Sequence, residues 1–190
     1  MKHSFHKLIG DIISENITGE DIRILKDPAC DPNGHILPLY YSKGGEEEDD
    51  EAIINRRARI FTNVDLLILK DHKIKVIIEI EESNVKPIHI FGKFFASAFS
   101  SYYFHPSEGK KTNWMADSVL FIQILDTSKL KDEKTSKLKQ WKNLENLIKK
   151  ALPEIQDSSI RNYKIFWDNE DNFIMDQGEI FINYIDTFLA

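Results

Sequence analysis

Three acidic side chains stand at the ends of two apolar runs. Asp65 opens "DLLILK", and Glu79 and Glu81 close "KIKVIIEIE". The runs flank "KDHK", a length suited to a hairpin loop. A hairpin folds the start of the first run beside the end of the second, which makes Asp65 and Glu79 neighbours. Glu79 and Glu81 are two residues apart, so they share a face and lie about 7 Å apart along a strand. Clustered carboxylates repel one another unless they are solvated, protonated or neutralised by a cation. A hard divalent cation such as Mg2+ suits them, taking one or two carboxylates with water and phosphate oxygens. It would activate water and stabilise the charge of phosphoryl transfer. Charged strand ends also serve solubility and guard sheet edges, so spacing alone leaves both readings open.

The elements that must position these acids follow from periodicity. Phe5, Leu8, Ile9, Ile12 and Ile13 recur at spacings of three and four, which predicts a helix over 4–16. "HILPLYYS" is a strand candidate, and the Gly-Gly and acid run after it predicts an exposed loop at about 43–51. In the hairpin's second run Ile74, Val76, Ile78 and Ile80 point one way, and Lys75, Ile77, Glu79 and Glu81 the other. Pro87 suits a first helical turn, and Ile90, Phe94, Phe95, Ala98 and Tyr102 give a helix over 88–104 its apolar stripe. Gly92 inside that helix costs about 1 kcal/mol of propensity relative to Ala, which points to close packing. "SVLFIQIL" is nearly all apolar and reads as a central strand covered on both faces. Residues 133–152 read as a helix with Leu138, Trp141, Glu145, Ile148 and Leu152 on its inner edge. "NYKIFW" is a further strand, and "EIFINYIDTFLA" a closing helix, or a strand and then a helix. The order α, β, β, β, α, β, α, β, α implies an α/β fold: a mixed central sheet flanked by helices.

Composition bounds the rest. A chain of 190 residues with 42% hydrophobic content suits one domain over 1–190. No run of about 18 apolar residues appears, so no membrane span is expected. The N-terminal stretch reads as an amphipathic helix and not as a signal peptide. The single cysteine, Cys30, excludes an internal disulfide and fits a reducing cytoplasm; its setting "DPACDPNG" is turn chemistry, which suits a structural or free thiol. The net charge of −6 argues against a nucleic-acid binder, but the charge is patchy. "EEEDDE" at 46–51 carries all of the excess, while 129–150 holds eight Lys against three acids. Arg56, Arg57 and Arg59 form a second basic knot. A polyanionic partner is therefore compatible with the sequence.

Asp65, the hairpin, Glu79-Ile80-Glu81, and then a helix, a buried strand and another helix resemble the PD-(D/E)xK nuclease superfamily over roughly residues 35–127. The resemblance implies a restriction-endonuclease-like core (αβββαβ) with C-terminal α/β additions. It also implies a Mg2+-dependent DNA endonuclease that hydrolyses phosphodiester bonds, with Mn2+ as a substitute and a homodimer as the assembly. Asp65 matches the first motif acid and Glu79 the second. Two departures stand out. Val64 replaces the motif proline, and Glu81 stands where the motif lysine belongs. Some restriction endonucleases carry Glu there, so Glu81 is expected as a ligand or a base. It cannot supply positive charge, and Lys93, with Lys86 in reserve, is expected to do so. Arg56, Arg57, Arg59, Lys86, Lys110 and Lys111 are the expected DNA contacts. The alternative is an inactive nuclease-fold module that binds DNA or protein. A further rival is an interaction protein that docks its acidic loop on a basic partner. His3 and His6 are expected to be solvent-exposed, and no zinc-type spacing is recognised.

Overall fold

The structure, a computed structural model, describes residues 3–42, 59–82, 85–108, 112–130 and 135–190. The acidic run 46–51, Arg56, Arg57, Lys110 and Lys111 lie outside the described residues. The main sheet is formed by β1 (Ile22–Lys26), β4 (Leu66–Lys70), β5 (Lys73–Glu81), β7 (Asn113–Asp126) and β8 (Ile160–Asp168). β1, β4 and β5 form an antiparallel meander, and β7 runs parallel to both β5 and β8. The first end of β7 pairs instead with the short β6 (Tyr102–Tyr103). From there the sheet continues through β2 (Leu37–Tyr40) to β3 (Ile60–Val64).

Helices cover both faces. α1 (Ser4–Asn16) and α5 (Gly178–Leu189) pack Phe5, Ile9, Ile13, Phe181 and Ile185 on one, with Val76, Ile78 and Ile80 of β5 beneath. The short α4 (Glu170–Asn172) and the wider turns over Phe173–Gln177 lead into α5. α2 (Pro87–Ala98) and α3 (Thr135–Ala151) cover the other face, with Ile90, Phe94, Trp141 and Ile148 over Ile77, Phe121 and Tyr163. Among the described residues no helix is long and apolar enough to cross a membrane.

The mixed sheet flanked by helices is as expected, and "SVLFIQIL" lies between two partners. Several details differ. β1 and β6 are strands the periodicity does not announce, being five and two residues long. The predicted helix over 88–104 ends at Ala98, so Tyr102 belongs to β6 and not to the helical stripe. Phe95 is exposed as well. A register shift between Ile74 and Val76 turns Ile74 towards the side of Ile77. The closing segment is helical throughout. Gly92 does not mark close packing: a Cβ there would meet nothing within 4 Å. The closely packed helical glycine is Gly10, whose Cβ would sit 2.9 Å from the Cys30 carbonyl oxygen. That contact seats α1 on the 27–34 turn. Cys30 is a buried free thiol, and burial pushes its pKa far up.

The β4–β5 hairpin turns through Asp71 and His72, whose φ values are 51° and 64°. Two consecutive left-handed residues match the strand twist and set Lys70 opposite Lys73.

Two stability outcomes follow. Phe94 is fully buried against the Phe121 and Tyr163 rings, so Phe94→Ala costs about 3–5 kcal/mol. Gly92→Ala gains about 0.5–1 kcal/mol, because the exposed helical site has room for a methyl group. Urea denaturation midpoints check both, and an unmoved midpoint for Phe94→Ala would contradict the packing of α2.

Candidate active site

Asp65 occupies the bend between β3 and β4, where the chain passes from the side sheet into the main one. Two contacts fix it there. Its carbonyl accepts the Asp27 N–H at 2.9 Å, and its Oδ2 accepts the Ile80 N–H at 2.6 Å. Asp27 is itself set by its turn, where its Oδ1 accepts the N–H groups of Ala29 and Cys30 at 3.0 and 2.9 Å. Hairpin register pairs Leu66 with Ile78, so Asp65 falls beside Glu79.

Glu79 points to the α2 face and is fully buried. Its Oε2 accepts from Lys93 Nζ at 2.8 Å, while its Oε1 has no hydrogen-bond partner. Glu81 follows on the same face, half-buried. Asp65, Glu81 and Lys93 line a cavity of about 710 Å³ beyond the carboxyl ends of the parallel strands β5 and β7. His3, His6, Glu82, Asp126, Lys129 and Glu170 contribute to the same wall. Crevices at the carboxyl ends of strands are the usual ligand sites of α/β sheets.

The electrostatics follow from burial. Desolvation pushes the Asp65 carboxyl up, opposed by the Ile80 N–H, His6 and Lys93. Desolvation, followed by the charge of Asp65, pushes Glu79 well up, opposed by Lys93. Desolvation also raises Glu81, again opposed by Lys93. Desolvation acts to lower Lys93, but Glu79, Asp65 and Glu81 together leave its pKa raised. Lys93 therefore keeps its proton, and Glu79 is the carboxylate drawn towards the neutral form.

Asp65, Glu79, Glu81 and Lys93 thus meet at one corner. Of the other expected residues that the structure describes, Lys86 and Arg59 do not join them. Lys86 is exposed at the N-terminal edge of α2 and does not line the cavity. Arg59 sits at the start of β3, where its carbonyl accepts the Tyr41 N–H. Asp65, Glu79 and Glu81 also fall short of a compact ligand set. Among the described residues the group of three whose donor atoms all lie within 4.8 Å of one another is His3, His6 and Glu82. His6 corrects the expectation of exposure: it is buried, with Nδ1 at 2.7 Å from Glu82 Oε1. Gln123 was hidden in an apolar run. It is the register partner of Glu79 on β7, fully buried, with its Nε2 unpartnered. Its Oε1 accepts the Tyr163 hydroxyl.

The donor type suits a hard cation, while the spacing of the three carboxylates is wider than a closed ligand set. Three carboxylates share one corner, and a buried Glu79 oxygen lacks a partner, which costs about 1–3 kcal/mol unless something satisfies it. No protein-family model, curated protein or solved structure matches the chain.

The corner has a pH signature. A carboxyl whose folded pKa is raised binds its proton more tightly when folded, so its stabilisation is lost as pH rises through the folded value. Lys93 opposes the rise in Glu79, so removing the ammonium widens this window upward from the ordinary glutamate value of 4.5. Stripping one partner from a buried pair costs about 3–5 kcal/mol. The Lys93 side chain is 35% exposed, and solvent screening reduces that figure. Lys93→Met therefore loses stability with rising pH more steeply than wild type, and adding Glu79→Gln removes the extra slope. Urea unfolding across a pH series checks both; parallel curves for the single variant and wild type would contradict the assignment.

Proposed function

We propose that the chain is a divalent-cation-dependent phosphodiesterase acting on DNA in the cytoplasm. It would be a restriction-type endonuclease of the PD-(D/E)xK arrangement, with the motif lysine replaced by one on the following helix. The observation that carries this reading is Lys93 Nζ at 2.8 Å from buried Glu79, at the corner shared with Asp65 and Glu81. Element order supports it: α1, the β1–β4–β5 meander, α2 and then parallel β7 follow the αβββαβ sequence. On this reading β2, β3 and β6 are an insertion, and β8 and α5 are C-terminal additions.

Asp65, Glu79 and Glu81 would hold Mg2+ or Mn2+. When bound, the cation supplies charge neutralisation at the phosphate and a more acidic water. The cavity supports a need for it. Asp65, Glu81, Glu82, Asp126 and Glu170 outnumber Lys93 and Lys129 on its wall, and such a field repels a phosphodiester without a cation. Within the chain, Ile80 N–H orients the Asp65 carboxylate. Lys93 carries the fixed positive charge that stabilises hydroxide formed from the attacking water. Glu81, whose proton affinity is raised by burial, serves either as the third ligand or as the base that accepts the water's proton. Lys86 and Arg59, together with Arg56, Arg57, Lys110 and Lys111, are the DNA contacts of this proposal. A homodimer, which would cut both strands, rests on the resemblance.

One observation favours a second reading, an inactive nuclease-fold module that binds DNA or protein. The Lys93 ammonium already pairs with Glu79 Oε2, an oxygen that a metal would need.

Plasmid cleavage with Mg2+ or Mn2+, with EDTA as control, separates the readings. The nuclease reading expects nicking that EDTA and Asp65→Asn abolish, with cation binding also lost from Asp65→Asn by calorimetry. Lys93→Ala slows cleavage at least about tenfold, some 1.4 kcal/mol of barrier, with cation binding retained. Glu81→Lys abolishes both binding and cleavage, because it places an ammonium against the cation. DNA retention without cation uptake or cleavage selects the second reading.

A further inference from the structure

We infer that His3, His6 and Glu82 form a second cation site, selective for a borderline divalent metal such as Zn2+, on the wall of the same cavity. The donor atoms of these three side chains lie within 4.8 Å of one another. His6 Nδ1 is 2.7 Å from Glu82 Oε1, and His3 Nδ1 is 3.6 Å from Glu82 Oε2. Zinc bonds of about 2.0–2.1 Å in a tetrahedron separate ligands by about 3.3 Å, close to the spacing already present. Two imidazoles and a carboxylate leave one position for water from the cavity.

The surroundings build the site from three directions. The backbone N–H of His6 donates to Glu82 Oε1 at 3.1 Å, which pins the carboxylate against the first turn of α1. Lys129 Nζ donates to the Glu82 carbonyl at 3.1 Å, which holds the chain just past the end of β5. The far side of the His6 ring faces the acidic corner, with Nε2 at 3.8 Å from Asp65 Oδ2. A carboxylate behind a metal-bound imidazole favours the proton on the outer nitrogen and leaves the inner lone pair for the metal. His6 is buried and His3 is half-exposed, so one ligand is preset and the other closes from solvent.

The same geometry discriminates against a hard cation. The N-terminal end of a helix carries partial positive charge, which opposes a cation held only by charge. Glu82 is a single carboxylate and cannot assemble the oxygen shell that Mg2+ prefers. Nitrogen donors favour Zn2+ and its neighbours in the transition series. The two sites therefore sort cations by donor type: oxygen at Asp65, Glu79 and Glu81, nitrogen at His3 and His6. The His6 ring lies between them.

Calorimetric titration of Zn2+ into full-length protein without a histidine tag tests the site. One Zn2+ is taken up per chain. His3→Ala and Glu82→Gln each weaken the uptake at least about tenfold. Glu79→Gln and excess Mg2+ leave it within threefold of wild type. Co2+ in place of Zn2+ gives visible absorption that disappears in His3→Ala. His3 is half-exposed, so His3→Ala keeps the wild-type circular dichroism spectrum and the comparison is made on folded protein. No Zn2+ uptake, or uptake unchanged in both His3→Ala and Glu82→Gln, overturns the site. Uptake lost in Glu79→Gln or displaced by Mg2+ places the ion in the acidic corner and also overturns it. None of these results depends on DNA cleavage, so this site and the nuclease reading stand or fall separately.

Discussion

A glutamate with no exposed surface sits in the face of this sheet, and the arrangement around it follows from that burial. Taking a carboxylate out of water costs several kcal/mol even after the protein relaxes. Glu79 meets that cost with one ammonium, Lys93, on one oxygen, and leaves the other oxygen unpartnered. A well-packed apolar pair in the same volume is often as stable or more so, so stability gives no reason to keep this pair. The carboxylate lies beside Asp65 and is followed on the same face by Glu81, an arrangement that the proposed cation role would use. The unpartnered Gln123 Nε2 on the neighbouring strand extends the polar layer and adds a second unsatisfied atom.

The rest of the fold serves to bring those groups together. The Asp71–His72 turn fixes hairpin register, and a slip of one residue would send Glu79 to the face of α1. The short crossover from β5 starts α2 at Pro87, which brings Lys93 back over the strand it has just left. β7 then lies parallel to β5 and opens a crevice at their shared carboxyl ends. α1 closes the crevice from the opposite face, through His6 on Glu82 and Ser4 on Glu170. The turn and the crossover to α2 are local in sequence, whereas the β5–β7 pairing and the α1 contacts join distant parts of the chain.

That distinction explains what the sequence discloses. Alternation in "KIKVIIEIE" fixes the shared face of Glu79 and Glu81, whereas the seven-residue step from Lys86 to Lys93 does not bring both lysines to the corner, because Lys86 is the extended residue before α2. Both signals are periodic and short-range. His6 and Glu82 are 76 residues apart, and nothing in either neighbourhood announces the other. β6 is too short to show a period, and β1, "IRILK", sets Leu25 beside Ile24 and so breaks strict alternation. The division of "RIFTNVDLLILK" at Asp65 is also silent, because β-rich residues continue on both sides while the strand changes partners from β2 to β1 and β5. Gln123 is masked by its seven apolar or small neighbours in "SVLFIQIL". Gly92 shows the opposite error: a propensity penalty invites a packing explanation where the structure has open space.

The position of Lys93 joins the two ways of reading the corner. An ammonium on a helix can reach the same carboxylates as one on the strand, but it approaches from the face, over the sheet. At the strand position, Glu81 adds a carboxylate where the superfamily pattern has a cation, so the local charge differs by two. On the proposed nuclease reading, Lys93 on α2 would restore one positive charge and leave the corner more acidic than that pattern. A more acidic corner binds a divalent cation more strongly by charge, yet it repels a phosphodiester more strongly when the cation is absent. Burial moderates this by raising the proton affinity of Asp65, Glu79 and Glu81 together. Protons and Lys93 therefore compete for the same carboxylates, a competition that the proposed cation would join, and among the described residues the partly exposed Lys93 is the ammonium paired with Glu79.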